Sequence, residues 1–227
     1  MHHIEIRPEI IDRVMKRRGR VNLFEQIDPR KTALVVIDMQ NTFCDAGAPA
    51  EVPQSRGIVP NLNALTPELR ALGVPVIWVL HANTNLGGRS DWDLFYNNIV
   101  DGDVRERTIQ SNAPEHQAVY SELDVSPGDM IITKNRYSAL IPGSSSLERV
   151  LRSFGIDSIL IAGTKTNICC ESTARDAMMM DFKVTMLSDC CAALSDEEHR
   201  SALENIIQQF GNVMTGKEVV ERLKSFR

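Results

Sequence analysis

Gly163-Thr164-Lys165-Thr166-Asn167-Ile168-Cys169-Cys170-Glu171-Ser172-Thr173-Ala174-Arg175-Asp176-Ala177 follows directly on the apolar run Ser158-Ile159-Leu160-Ile161-Ala162. The run has strand length and no alternation, as in a strand buried on both faces, and apolar residues at helical spacing follow over 168–181. A buried strand followed by a helix is the repeating unit of a parallel α/β sheet.

The same alternation extends in both directions. Apolar runs recur at Ala33-Leu34-Val35-Val36-Ile37, Val74-Pro75-Val76-Ile77-Trp78-Val79-Leu80, Met130-Ile131-Ile132, Val184-Thr185-Met186-Leu187 and, more weakly, Asn212-Val213-Met214. Helical spacing appears over 9–18, 58–72, 145–154, 196–208 and 217–226. Ser195 ahead of Asp196-Glu197-Glu198 and Thr215 ahead of Gly216-Lys217-Glu218 have the chemistry of N-caps. A parallel sheet covered on both faces is expected, in one domain spanning 1–227 with a helical N-terminal extension over 1–30. Residues 81–125 have little periodicity and many polar side chains, and are expected to form an excursion over the sheet edge or a lid.

Composition narrows the function classes. An apolar fraction of 43% and a charged fraction of 24% are those of a globular chain. A net charge of -5 argues against nucleic acid or an anionic membrane as partner, since both are bound by clustered Lys and Arg. The basic run Lys16-Arg17-Arg18-Gly19-Arg20 reads as a solvated helix end. With no apolar leader after Met1-His2-His3 and no run of about 18 apolar residues, a cytoplasmic location is expected. The five cysteines include two adjacent pairs, poor spacing for a disulfide framework, so reduced thiols are expected.

In an open parallel sheet ligands bind beyond the carboxyl ends of the strands. Asp38 ends the first strand, Lys134 follows the third, and Cys169 stands at a helix start after the fourth. Alone, these would be a turn residue, a surface lysine and a buried thiol. Together they supply a nucleophile, a base and a cation. A thiol attacks as its thiolate, which the first turn of a helix favours; a carboxylate can carry its proton, and an ammonium keeps that carboxylate ionised. Cys170 lies about 100 degrees round the helix from Cys169.

These blocks, with Ile37-Asp38-Met39-Gln40-Asn41 and Lys134-Asn135-Arg136-Tyr137-Ser138-Ala139, resemble the isochorismatase-like cysteine hydrolases over about residues 31–220. The resemblance implies a Rossmann-like three-layer α/β/α sandwich with a mostly parallel six-stranded sheet, and a catalytic triad at Asp38, Lys134 and Cys169. It also implies a cis peptide between Thr164 and Lys165, with the amides of Lys165 and Cys169 forming an oxyanion hole, and a homodimer or homotetramer. It selects Cys169 over Cys170, leaving Cys170 packed on the sheet. Cys190 and Cys191 read as core or loop thiols, and Cys44 as packing.

Nicotinamidases of this superfamily hold a divalent ion with an Asp and closely spaced histidines. Here His81 is followed by no other histidine until His116, so neither metal nor cofactor is expected. The motif blocks are most similar to ureidoacrylate amidohydrolases and to enzymes of biuret, triuret and N-carbamoyl amino acids. The resemblance therefore implies hydrolysis of a C–N bond in a small linear ureide or carbamoyl compound, with a small-molecule amide as the only partner besides other copies. Substrate-binding candidates are His81 and Asn83 at the distal end, Arg136 as a carboxylate partner, and Gln40, Tyr137 and Gln209. The alternatives are a hydrolase of another small amide, or a silent binding domain of the same fold.

Overall fold

A computed structural model describes residues 2–226. In chain order the elements are α1 (Pro8–Arg18), β1 (Thr32–Ile37), α2 (Asn41–Cys44), α3 (Val59–Ala71), β2 (Val76–His81), a small hairpin of β3 (Asn85–Leu86) and β4 (Arg89–Ser90), α4 (Asp93–Asn98), α5 (Gly102–Gln110) and α6 (Pro114–Gln117). There follow β5 (Met130–Lys134), α7 (Leu147–Ser153), β6 (Ser158–Thr164), α8 (Glu171–Met179), β7 (Lys183–Ala192), α9 (Asp196–Asn205), β8 (Asn212–Met214) and α10 (Gly216–Ser225). One wide helical turn, Thr166–Cys170, leads into α8 and another, Ile206–Phe210, prolongs α9.

Six strands form one sheet in the order β5-β2-β1-β6-β7-β8, and every neighbouring pair is parallel. Successive side chains of a strand face opposite sides of the sheet, and here both sides are covered. Leu34, Val36, Trp78, Leu160 and Ala162 pack under Leu62, Leu65 and Leu69 of α3 and Val219, Val220 and Leu223 of α10. Ala33, Val35, Ile37, Ile77, Ile159 and Ile161 face Leu147 and Leu151 of α7, Ala174 and Ala177 of α8 and Leu203 of α9. This explains why the strands read as unbroken apolar runs: neither face meets water. Each large aliphatic side chain so buried contributes about 1.5–3 kcal/mol.

The strand order reverses between β1 and β6, and that switch point opens a crevice at the carboxyl ends. Two registers set its floor. Ile37 lies opposite Gly163, bringing Asp38 beside the end of β6, and His81 lies opposite Lys134. Gly163 has φ +113°, and a Cβ there would meet the Ile37 carbonyl oxygen at 2.0 Å. Only glycine allows the two strands to close at this point.

Several boundaries differ from the sequence expectation. β7 runs through Ser188-Asp189-Cys190-Cys191 to Ala192, since its register against β6 shifts beyond Ile161 and absorbs the polar pair. Helix α7 starts at Leu147 because Ser144 and Ser145 spend their hydroxyls on the Ser138 and Ala139 carbonyls. The basic run ends α1 at Gly19, with Lys16, Arg17 and Arg20 exposed as expected. Arg18 departs from that reading: half-buried, it donates to the Ile207 carbonyl at 2.9 Å. Residues 81–125 carry the hairpin and three short helices, and fold back over the crevice. Among the described residues no helix is long and apolar enough to cross a membrane.

Candidate active site

Asp38 is the first residue past β1 and has φ +56°, a left-handed conformation that Asp tolerates better than most residues. Its amide donates to the Val79 carbonyl at 2.8 Å, so the main chain is pinned while the side chain turns into the crevice. Lys134 is the last residue of β5, and its Nζ lies 2.9 Å from Asp38 Oδ2. Both side chains are buried. Neither carboxylate oxygen has a well-aligned hydrogen-bond donor among the described residues, so the ammonium at Oδ2 is held by charge and Asp38 keeps acceptor capacity in reserve.

The ammonium has two further acceptors, His81 Nδ1 at 3.2 Å and the Arg136 carbonyl at 3.1 Å. Burial alone would pull Lys134 down, but Asp38 and then the Cys169 sulfur outweigh it and its pKa is raised. Lys134 is therefore a fixed cation. His81 is the reverse case: burial, then the neighbouring ammonium, lower it to about 4, so it is neutral at pH 7.

Cys169 occupies the turn Thr166–Cys170 beside Asp38 and Lys134. The expectation of a thiolate at a helix start is corrected here. Burial, and then the Asp38 charge, push the thiol well above its ordinary value, and Lys134 only partly opposes them. A thiolate would sit next to a carboxylate in a site closed to water, so the resting form is the neutral thiol. Cys169 is 7% exposed, whereas Cys170 is fully buried and directs its sulfur at the Ala162 carbonyl. Cys190 and Cys191 are buried in β7, and Cys44 lies in the core beneath α3, its thiol pushed by burial up to about 11.

Asp38 and Cys169 line a cavity of about 160 Å³ together with Phe43, His81, Trp92, Phe95, Tyr96, Tyr137, Lys165 and Ile168. A larger hollow of about 420 Å³ lies between α3 and α10, but Asp38, Lys134 and Cys169 are not among its lining residues. The smaller cavity holds the chemistry. The peptide between Thr164 and Lys165 is cis. Among the described residues no group of three or more His, Cys, Asp or Glu side chains is arranged to hold a metal.

The remaining candidates divide. His81 and Tyr137 line the cavity. Asn83 stands behind His81, accepting from its Nε2 at 2.8 Å. Gln40 does not face the cavity: its amide is spent on the His81 backbone, donating to the carbonyl at 3.1 Å and accepting from the amide at 2.7 Å. Gln209 is exposed, accepts from Arg17, and does not line the cavity. The guanidinium of Arg136 donates to the Asn135 and Asp91 carbonyls and stacks 5.1 Å over the Trp92 ring, so it supports the cavity wall from outside.

Sequence reading missed that wall. Trp92 and Phe95 stack at 4.8 Å, and Tyr137 meets the Trp92 ring edge-on at 4.8 Å. The signal was Trp92, Phe95 and Tyr96 together in a polar stretch of a chain that is 5% aromatic.

The carboxyl ends of the parallel sheet thus gather a buried carboxylate, ammonium and thiol from β1, β5 and the turn after β6. An isochorismatase domain model matches residues 32–218, and the chain belongs to that family of hydrolases. It is 31% identical to the ureidoacrylate amidohydrolase RutB of Pseudomonas savastanoi pv. phaseolicola over 201 residues, 82% of this chain and 81% of that one. It is 34% identical to a probable inactive nicotinamidase of Arabidopsis thaliana over 175 residues, 75% of this chain and 85% of that one. A cysteine hydrolase from Pseudomonas syringae pv. phaseolicola superposes with a TM-score of 0.76 at 30% identity, covering 91% of this chain and 98% of that one. The expected three-layer fold is the observed one.

Proposed function

We propose that the protein is a cysteine amidohydrolase that cleaves a C–N amide bond of a small linear ureide or carbamoyl compound, releasing ammonia through a thioester. The observation that carries this reading is the Asp38–Lys134 pair at 2.9 Å beside the one cysteine that lines the cavity. The likeness to a ureidoacrylate amidohydrolase supports the substrate class.

The reaction runs in two halves. With substrate bound, Asp38 takes the Cys169 proton as Sγ bonds to the carbonyl carbon. The oxyanion is held by the amides of Lys165 and Cys169, and preorganised donors of this kind contribute about 3–4 kcal/mol each. Collapse breaks the C–N bond, and the proton on Asp38 passes to the departing nitrogen, which leaves as ammonia. Asp38 then deprotonates a water that attacks the thioester, and the thiolate leaves and is reprotonated. A carbamate product loses carbon dioxide without further help.

Throughout, Lys134 stays charged and offsets whichever group carries the negative charge. A neutral resting thiol suits this scheme, since the proton moves only when the carbonyl is in place. The aromatic wall of Trp92, Phe95 and Tyr137 offers ring faces and edges that suit a planar conjugated group.

The test is ammonia release from ureidoacrylate, biuret, triuret, N-carbamoyl amino acids and nicotinamide, with and without chelator, by wild type and Cys169→Ala. Turnover by wild type alone, unaffected by chelator, is expected. Turnover that survives in Cys169→Ala overturns the nucleophile. No turnover on any member, with Cys169 alkylated no faster than Cys170, favours a binding domain.

A further inference from the structure

The side chain of His81 is spent before any substrate arrives. Lys134 Nζ approaches Nδ1 at 3.2 Å, and an ammonium has only protons to give, so Nδ1 is the acceptor and the ring proton sits on Nε2. Nε2 donates to Asn83 Oδ1 at 2.8 Å, and the Tyr96 hydroxyl reaches the same oxygen at 3.4 Å. Asn83 is fixed in turn. Its Nδ2 donates to Asp91 Oδ1 at 2.8 Å and to the Asn135 carbonyl at 3.1 Å, and its amide donates to Asn112 Oδ1 at 2.8 Å. The other Asp91 oxygen accepts from Asn135 Nδ2 at 3.0 Å. From Lys134 through His81 and Asn83 to Asp91 every donor has a stated acceptor, and the chain runs in one direction only.

The ammonium has Asp38 Oδ2 as its ion-pair partner and His81 Nδ1 and the Arg136 carbonyl as its hydrogen-bond acceptors. Only His81 among them is a neutral side chain. The charged groups facing its ring are Lys134 and Asp38, with Asp91 one residue further along the chain of bonds. An imidazolium, or the tautomer with its proton on Nδ1, would turn a proton towards the ammonium. Burial and Lys134 hold the ring neutral, and Asn83 selects the tautomer.

We propose that His81 is a positioning residue: locked with its proton on Nε2 by Asn83 and Asp91, it holds the Lys134 ammonium against Asp38 rather than binding substrate. The role rests on the amidohydrolase reading and goes beyond it. Asp91 precedes Trp92, so the residues that lock His81 also anchor the aromatic wall.

The experiment compares wild type, His81→Leu and His81→Asn, whose side-chain oxygen takes the place of Nδ1. Leu removes the acceptor and Asn restores it. With the amide the wild type hydrolyses, His81→Leu lowers kcat by about 10- to 100-fold and leaves KM within about threefold, as loss of a supporting contact does. The acid limb of kcat/KM changes position, because the Lys134 ammonium is less well held. His81→Asn returns most of kcat and the limb, and Asn83→Ala falls between. The pH dependence of Cys169 alkylation by iodoacetamide needs no substrate and shifts in the same order. A rise in KM at unchanged kcat makes His81 a substrate contact and overturns the proposal, as do equal rates for Leu and Asn or a Cys169 alkylation curve identical to wild type in His81→Leu. Absence of wild-type turnover sinks the amidohydrolase reading instead, and the alkylation curves still decide the role of His81.

Discussion

Lys134 Nζ and Asp38 Oδ2 lie 2.9 Å apart with neither side chain in contact with bulk water, so neither charge can be removed alone without stranding the other. Breaking such a pair costs about 3–5 kcal/mol, while replacing both partners with apolar residues is often neutral. Lys134→Met and Asp38→Leu are each expected to lose that much stability by urea unfolding. The double variant is expected to recover most of it. All three are expected to be inactive, which separates the catalytic role of the pair from its structural one. A double variant no more stable than the singles would show that the ion pair itself stabilises the fold.

The Cys169 thiol is pushed up by burial and by Asp38. Its alkylation by iodoacetamide, followed by peptide mass spectrometry in the free enzyme, is therefore expected to be slow at pH 7 and still rising beyond pH 9. A plateau below pH 8 would mean a resting thiolate, and would place proton transfer before substrate binding rather than after it.

Gly163 tests the closure of β1 on β6. An added methyl meets the Ile37 carbonyl oxygen at 2.0 Å and must adopt φ +113°. Gly163→Ala is expected to cost about 3 kcal/mol or more from overlap and backbone strain together, and to lower activity by displacing Asp38. Gly216→Ala, whose new carbon meets the Leu65 side chain at 3.4 Å and Cys190 Sγ at 3.7 Å, is the control and is expected to cost much less.

The catalytic candidates were legible because a parallel sheet makes position along a strand equivalent to position in space. Asp38, Lys134 and Cys169 stand at or just past apolar runs, and the sheet gathers such residues at one edge. Residues 81–125 have no period that places them on the sheet, so the clustering of Trp92 and Phe95 was the one sign of the wall, and only the fold of the excursion sets it against the cavity. Gln40 looked free in sequence because its acceptor and donor, the backbone of His81, lie 41 residues away on the neighbouring strand. Helix-start reasoning also assigned the wrong direction to the Cys169 thiol. It weighed the turn that holds the sulfur and not the depth at which β6 buries it, and burial dominates.

The aromatic wall is expected to set KM. Trp92 stacks on Phe95, meets Tyr137 edge-on and carries Arg136 over its ring, so removing it opens one side of the cavity without touching Asp38 or Cys169. Trp92→Ala is expected to raise KM about tenfold, the loss of one aromatic contact with its buried area, with kcat changed far less. Steady-state kinetics on the hydrolysed amide provide the measurement, and a fall confined to kcat would move Trp92 from substrate contact to lid support.

Acid should weaken the fold through two histidines. Burial is the first cause that lowers both His81 and His199 from 6.5 to about 4, with the Lys134 ammonium second for His81 and the adjacent His2 ring second for His199. His199 receives the Thr166 hydroxyl on Nδ1 at 2.8 Å and reaches the Ser188 carbonyl from Nε2 at 3.1 Å, so a second ring proton would require the hydroxyl to turn from donor to acceptor. Because the folded pKa lies below the unfolded one, the unfolded chain takes up these protons first. The stability is present above about pH 6.5 and is lost as pH falls towards about 4, by about 2–3 kcal/mol for each histidine. The Glu204 carboxyl is held below its ordinary value by its bond to Arg7. Urea unfolding between pH 7 and pH 4.5 is expected to show the decline, with His199→Gln flattening it by about half. An unchanged slope in that variant would mean that His199 takes up its proton in the folded protein.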